Sequence, residues 1–171
     1  MGFQDAVRTC LSKYATFSGR AGRPEYWYFV LFLFLANLLL GIVDGLLFGG
    51  EVRIEPGSVS AQSNGPLVSL FSLAMLVPSL AAGWRRMHDT GRSGLYLLYP
   101  LIVMVGLSLF LGFMAGFGNL AAGNFGALFA ALGGLVAVVA VLVLLISPLL
   151  VLWWLTRPSQ GGTNEYGPPS D

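Results

Sequence analysis

The chain has 171 residues, 56% of them hydrophobic and only 10% charged, with a formal net charge of +1. Soluble domains carry about 25% charged residues, so this inventory cannot build a water-facing surface, and the chain reads as an integral membrane protein. The few basic residues lie close to apolar runs and make nucleic acid an unattractive partner; the single cysteine, Cys10, excludes an intramolecular disulfide and fits a reducing, cytoplasmic face.

Residues 3–17, FQDAVRTCLSKYATF, place Phe3, Val7, Cys10, Leu11, Tyr14 and Phe17 at three- and four-residue spacing. That period predicts an amphipathic helix, expected to lie in the membrane interface. A charged segment ahead of the first apolar run is not the layout of a cleavable signal peptide. Pro24 suits a first helical turn, and Glu25 complements the positive helix end. Tyr26, Trp27 and Tyr28 supply an interfacial aromatic belt. The first span is expected over about 25–48, the second over 66–83, the third over 95–117 and the fourth over 128–155. Residues 49–65, GGEVRIEPGSVSAQSNG, read as a polar loop. Pro78 is a kink that a membrane helix tolerates. The chain thus divides into an interfacial segment (1–24), a four-span domain (25–156) and a polar tail (157–171).

Basic residues set the orientation. Arg8, Lys13, Arg20 and Arg23 precede the first span, Arg85, Arg86 and Arg92 follow the second, and Arg157 follows the fourth. Only Arg53 falls in a connection of opposite parity. Because Lys and Arg favour the cytoplasmic side, both termini and the connection between spans two and three are expected there. The fold class expected is an all-α membrane protein of four spans with an N-terminal interfacial helix.

Within the first span, Asn37, Gly41 and Asp44 share a face. An intramembrane aspartate is a candidate for an ion or proton route; the plainer reading is an outer-interface acid or a packing hydrogen bond. Ser108, Gly112 and Gly116 on the third span, and Gly133 and Ala137 on the fourth, have the spacing of helix–helix seams.

The densest charge lies in WRRMHDTGRSG, residues 84–94. If the second span continues as helix, Arg85, His88, Asp89 and Arg92 fall on one face. Gly91 would supply a left-handed C-cap and Ser93 an N-cap for the third span. On the same membrane side stand Arg20, Arg23 and Glu25. Two arginine-rich motifs facing each other could hold an anion, since guanidinium matches phosphate or carboxylate bidentately. Inner-leaflet headgroups are the nearest abundant phosphates. The competing reading makes the same residues an Arg–Asp/Glu clamp with topology anchors. Catalysis is poorly supported: adjacent helical residues point apart, so His88 and Asp89 are not a dyad, and one histidine with scattered carboxylates is not a zinc site.

Three stretches, FSGRAGRPEYWYF (17–29), RRMHDTGRSG (85–94) and GGTNEYGPP (161–169), occur in this order around the spans. In them the chain resembles the bacterial inner-membrane family catalogued as domain of unknown function 805. The resemblance covers nearly the whole chain and implies a small multi-pass inner-membrane protein without an agreed biochemical activity. By position it extends to Phe17, Gly19, Arg20, Arg23, Glu25 and Trp27, to Arg85, Arg86, His88, Asp89, Gly91, Arg92, Ser93 and Gly94, and to Asn164, Tyr166, Gly167 and Pro168. Leu95 departs from the family's usual aromatic and Met87 from its usual leucine. The connection between spans three and four is also longer than is typical.

The functional expectation is a non-enzymatic adaptor or regulator. Its cytoplasmic-face site, Arg20, Arg23, Glu25, Arg85, Arg86, His88, Asp89, Arg92 and Ser93, would take an anionic phospholipid headgroup or a membrane partner. No cofactor or metal is expected, and a homo-oligomer is compatible. The alternative is a small oligomeric transporter or channel using the face of Asn37 and Asp44.

Overall fold

In the computed structural model, residues 1–55, 58–63, 65–120 and 124–169 are described. Helix α1 covers Phe3–Ser12, with Asp5 accepting from the Gly2 N–H at 3.3 Å. It is shorter than the periodicity predicts and buries Ala6 and Cys10, whereas Phe3 and Leu11 stay partly exposed. Two small residues allow close approach to its neighbours. The large apolar residues point elsewhere, as lipid-facing residues do.

Beyond α1, the Tyr14 hydroxyl donates to the Ala74 carbonyl. That carbonyl lies four residues before Pro78, which has no N–H to offer it. Tyr14 therefore fills the hydrogen bond that the proline leaves open.

Helix α2, Arg23–Phe48, starts after Gly22 with proline in its first turn and ends at Gly49. Where a polar loop is expected, strands β1 (Gly50–Glu55) and β2 (Ser58–Ser63) form an antiparallel hairpin. The register pairs Val52 with Ala61 and Ile54 with Val59. This alternation of apolar and polar residues is a strand signal hidden by the surrounding Gly, Ser and Pro. The fold is thus helical, as expected, with one small hairpin added between α2 and the helix that follows.

Helix α3, Leu67–Asp89, extends six residues past the expected end of the second span, carrying the first half of the charged motif on helix. A 3-10 turn, Gly94–Leu98, leads into α4 (Tyr99–Leu120), and α5 covers Asn124–Thr156. The start of α2, the end of α3, the start of the 3-10 turn and the end of α5 meet at one end of the bundle. Contacts of Ala21 with Arg85, of Arg86 with Leu155 and of Met87 with Leu97 and Leu155 place them there. The hairpin follows the opposite end of α2.

The packing is inside-out by the standards of a soluble protein. Leu46 is 80% exposed and Phe34 64%, while Arg86 and Asp89 are 0% exposed. Such a surface is stable only where the surrounding medium is itself apolar. Helices Arg23–Phe48, Leu67–Asp89 and Val136–Thr156 are long and apolar enough to cross a membrane. The described apolar stretch at the start of α4, Gly94–Phe110, is shorter. On α4 the Ser108 hydroxyl turns back to Met104 O at 2.8 Å, and a Cβ on Gly112 would meet open space. Ser108 and Gly112 are therefore not packed against the rest of the described chain.

Candidate functional site

At the gathered end, Asp89 is the hub. Its carboxylate pairs with Arg20 Nε at 2.9 Å, accepts from Arg86 one helical turn earlier, and accepts from the Ser159 hydroxyl. Arg20 comes from the segment before α2, Arg86 from α3 and Ser159 from the tail, so one carboxylate joins three separate parts of the chain. The unused guanidinium N–H groups go to backbone carbonyls. Arg20 Nη1 donates to Gly162 O at 2.7 Å and Arg20 Nη2 to Gln160 O at 2.5 Å. Arg86 Nε donates to Leu155 O at 3.0 Å and its Nη2 to Arg157 O. These acceptors are at and beyond the end of α5, where helix carbonyls lose their intrahelical partners.

A second ion pair lies beside the first. Arg85 Nη2 meets Glu25 Oε1 at 3.1 Å, and its Nη1 donates to Thr16 O at 2.7 Å and Lys13 O at 3.3 Å. Arg85 therefore fastens the chain just past α1 to the first turn of α2. Among the described residues Arg85 Nε is a buried side-chain nitrogen without a hydrogen-bond partner. Cys10 packs against the same carboxylate, its Sγ 3.8 Å from Glu25 Oε1. Burial, followed by the charge of Glu25, pushes its thiol up to about 12. It is a packed, protonated group rather than a nucleophile.

His88 and Asp89 diverge, as neighbours on a helix must. The His88 Nδ1 lies 3.1 Å from Gly19 O, and its ring stacks on Tyr166 with centroids 3.8 Å apart and planes 5° from parallel. Asn164 Nδ2 donates to His88 O at 3.0 Å. The Tyr166 phenol is held above its ordinary value, first by its hydrogen bond with the Glu165 side chain and then by burial. Tail and histidine thus close over each other.

The end of α3 is a Schellman motif. Gly91 N donates to His88 O and Arg92 N to Met87 O, both at 3.0 Å, with Gly91 at φ +72°. Gly91 is the expected left-handed cap. Ser93 caps the 3-10 turn rather than a long helix, its hydroxyl accepting from Leu95 N at 3.4 Å. Arg92 lies beyond α3, with its guanidinium 5.4 Å from the Trp154 ring. Arg23 is exposed and donates through Nε to Arg157 O at 3.0 Å, while Arg157 covers Trp153 at 4.8 Å.

The nine candidate residues therefore gather at one end of the bundle, but in two layers. Arg20, Glu25, Arg85, Arg86, His88 and Asp89 are buried, whereas Arg23 is exposed and Arg92 and Ser93 are intermediate. In the buried layer three guanidiniums face two carboxylates, leaving one formal positive charge in excess. The tail residues Ser159, Gln160, Gly162 and Asn164 were not foreseen in the site. The third stretch of the resemblance, 161–169, signals Gly162 and Asn164 but not Ser159 or Gln160, and the backbone carbonyls that Gln160 and Gly162 contribute leave no mark on residue type. Among the described residues no three His, Cys, Asp or Glu side chains are gathered as a metal site would need.

Asn37 and Asp44 lie elsewhere. Asp44 is fully buried and accepts from Leu67 N at 3.1 Å and Val68 N at 2.9 Å, so a side chain of α2 caps the start of α3. A Cβ on Gly65 would collide with that carboxylate, which explains the glycine. Asn37 accepts from the Ser72 hydroxyl at 3.0 Å and donates to Leu33 O at 2.8 Å.

Known proteins resemble this chain in sequence. The family model described as protein of unknown function (DUF805) matches residues 14–168. The chain is 34% identical to the inner membrane protein YhaH of Escherichia coli strain K12 over 96 residues, 56% of this chain and 72% of that protein. It is 32% identical to the inner membrane protein YhaI of the same strain over 116 residues, 68% of this chain and 87% of that protein. No solved structure matches. The chain belongs to the DUF805 family.

Proposed function

We propose that this DUF805 protein crosses the bacterial inner membrane four times and acts as a non-enzymatic adaptor or regulator, its cytoplasmic face recognising an anionic phospholipid headgroup. One observation carries the reading. The arginine-rich stretches meet at one end, where an internally bonded layer with surplus positive charge supports a rim of Arg23, Arg92 and Arg157. Trp153 and Trp154 lie beneath two of these arginines, the pairing of aromatic and cation found at membrane–water interfaces. Arg20, Arg85, Arg86, Glu25, His88 and Asp89 position the rim; Arg23, Arg92 and Ser93 meet the phosphate.

The alternation of α2 to α5 between the gathered end and the other supports four crossings. Arg8, Lys13 and the clustered arginines support a cytoplasmic gathered end. Both oxygens of Asp44 cap α3, which favours this reading over transport along the Asp44 face.

The test is native mass spectrometry of the full chain extracted from bacterial membrane. Wild type is expected to retain anionic lipid, and the Arg23→Gln/Arg92→Gln double variant to retain fewer anionic lipids per chain with helicity intact. Retention unchanged in that variant would sink the headgroup reading.

A further inference from the structure

Outside the arginine cluster, α1 and the first turns of α2 enclose an open groove of about 640 Å³. That volume lies within the range of ligand clefts, about 300–1,000 Å³. Its lining is largely apolar, Phe3, Val7 and Leu11 from α1 and Phe32 from α2, with the polar side chains of Gln4, Arg8 and Ser12 beside them. The T-shaped contact of Phe3 with Tyr28, centroids 6.1 Å apart, joins the two helices beside it.

Arg8 distinguishes this groove from a gap between helices. It is exposed, and it takes part in no ion pair or side-chain hydrogen bond among the described residues. The other arginines with described side chains are engaged by carboxylates, carbonyls or indole rings. An unpaired guanidinium at the edge of an apolar trough is complementary to a molecule with an anionic head and an apolar tail.

Depth selects the same ligand. The groove lies alongside the α2 stretch from Tyr28 to Phe32, and that helix rises about 1.5 Å per residue. Phe32 is thus about 13 Å along α2 from its start, beside α1, and a helix lying in the membrane interface, as α1 is expected to, rests between headgroups and acyl chains.

We infer that the α1–α2 groove binds one anionic glycerophospholipid, its phosphate on Arg8 and an acyl chain along Phe3, Val7, Leu11 and Phe32. This site is separate from the rim of Arg23 and Arg92 and stands whether or not the rim binds lipid.

The experiment reconstitutes the full chain in vesicles of equal phosphatidylethanolamine and phosphatidylglycerol and reads co-extracted lipid by native mass spectrometry. Wild type is expected to retain phosphatidylglycerol in preference. Arg8→Gln removes a charge-assisted contact and is expected to lower that preference about tenfold, while Arg8→Lys keeps most of it. Leu11→Trp, filling the trough, is expected to reduce retention of both lipids. Lys13→Gln removes an equal charge from just beyond the same helix, away from the groove, and is expected to leave the preference unchanged.

Equal retention of the two lipids by wild type overturns the inference. So does an equal loss in Arg8→Gln and Lys13→Gln, which would mean general surface attraction. A lipid-free dimer that Leu11→Trp dissociates would assign the groove to a second copy and overturn it as well. Loss of phosphatidylglycerol in Arg23→Gln/Arg92→Gln but not in Arg8→Gln would support the rim and reject the groove.

Discussion

At the scale of single residues, the decisive fact is that the charged side chains are inside. Burying an ion pair is seldom a net gain, but removing one partner is costly because it strands the other charge. Asp89→Asn keeps the size of the side chain and removes the only carboxylate that pairs with Arg20 and Arg86 among the described contacts. The expected cost is about 3–5 kcal/mol, read as a lower unfolding midpoint in detergent and reduced abundance in the membrane. A wild-type midpoint would mean that the carbonyls alone hold both guanidiniums. Cys10 gives a second residue-level outcome. With its thiol pushed up to about 12 from the ordinary 9.0, very little thiolate forms at mildly alkaline pH. Alkylation by a maleimide at pH 8 should be correspondingly slow in the folded protein and fast after denaturation; equal rates would refute the buried placement. The sign for stability follows. The raised value means that the folded form keeps its proton, so the contribution is full below about pH 9 and is lost as pH rises toward about 12. The sequence made His88 and Asp89 legible as neighbours that point apart, because helical geometry alone requires it. It could not reveal Gly19, Gln160 or Gly162 as their partners or those of Arg20, since each contributes a backbone carbonyl there.

Among the elements, three long apolar helices were legible because apolar run length is a direct consequence of bilayer thickness. Helix α2 begins two residues before the expected span and ends where expected; α3 differs chiefly by continuing through Arg85 to Asp89. Its true stop is the Gly91 cap, a signal the sequence carried. The hairpin was missed because Val52, Ile54, Val59 and Ala61 are only four apolar residues amid turn-forming ones. The period of α1 was read correctly, yet its buried face is Ala6 and Cys10. Periodicity identifies an apolar stripe without saying which edge of it meets protein and which meets lipid. Asp44 links two elements, and its replacement tests that link. Asp44→Ala removes the acceptors of the Leu67 and Val68 N–H groups and is expected to cost about 1–2 kcal/mol. In hydrogen exchange, the first turn of α3 should lose protection while the Schellman turn at Gly91 keeps it. Unaltered exchange at Leu67 and Val68 would mean that the cap is dispensable.

For the whole molecule, parity and packing make the same demand. The segment before α2, the α3–α4 turn and the tail after α5 are bonded to one another through Arg20, Arg86 and Asp89, so they share one side of any membrane. The hairpin follows the far end of α2. An odd number of crossings would put the tail opposite Arg20 and break every contact between them. This is decided by thiol labelling in a Cys10→Ser background, in cells stripped of their outer membrane. Ser58→Cys, in the hairpin, should react with a membrane-impermeant maleimide in intact cells. Thr163→Cys, exposed in the tail, should react only after permeabilisation. Labelling of both in intact cells would exclude four crossings, and labelling of the tail alone would invert the orientation. If the expected pattern holds, the Arg23 and Arg92 rim and the Arg8 groove face the same leaflet. The protein would then offer two cationic sites to one lipid pool, one over tryptophan and one over an apolar trough. Among the described residues, the trough is where an unpaired guanidinium adjoins an open apolar surface, so it is the site expected to discriminate an acyl chain.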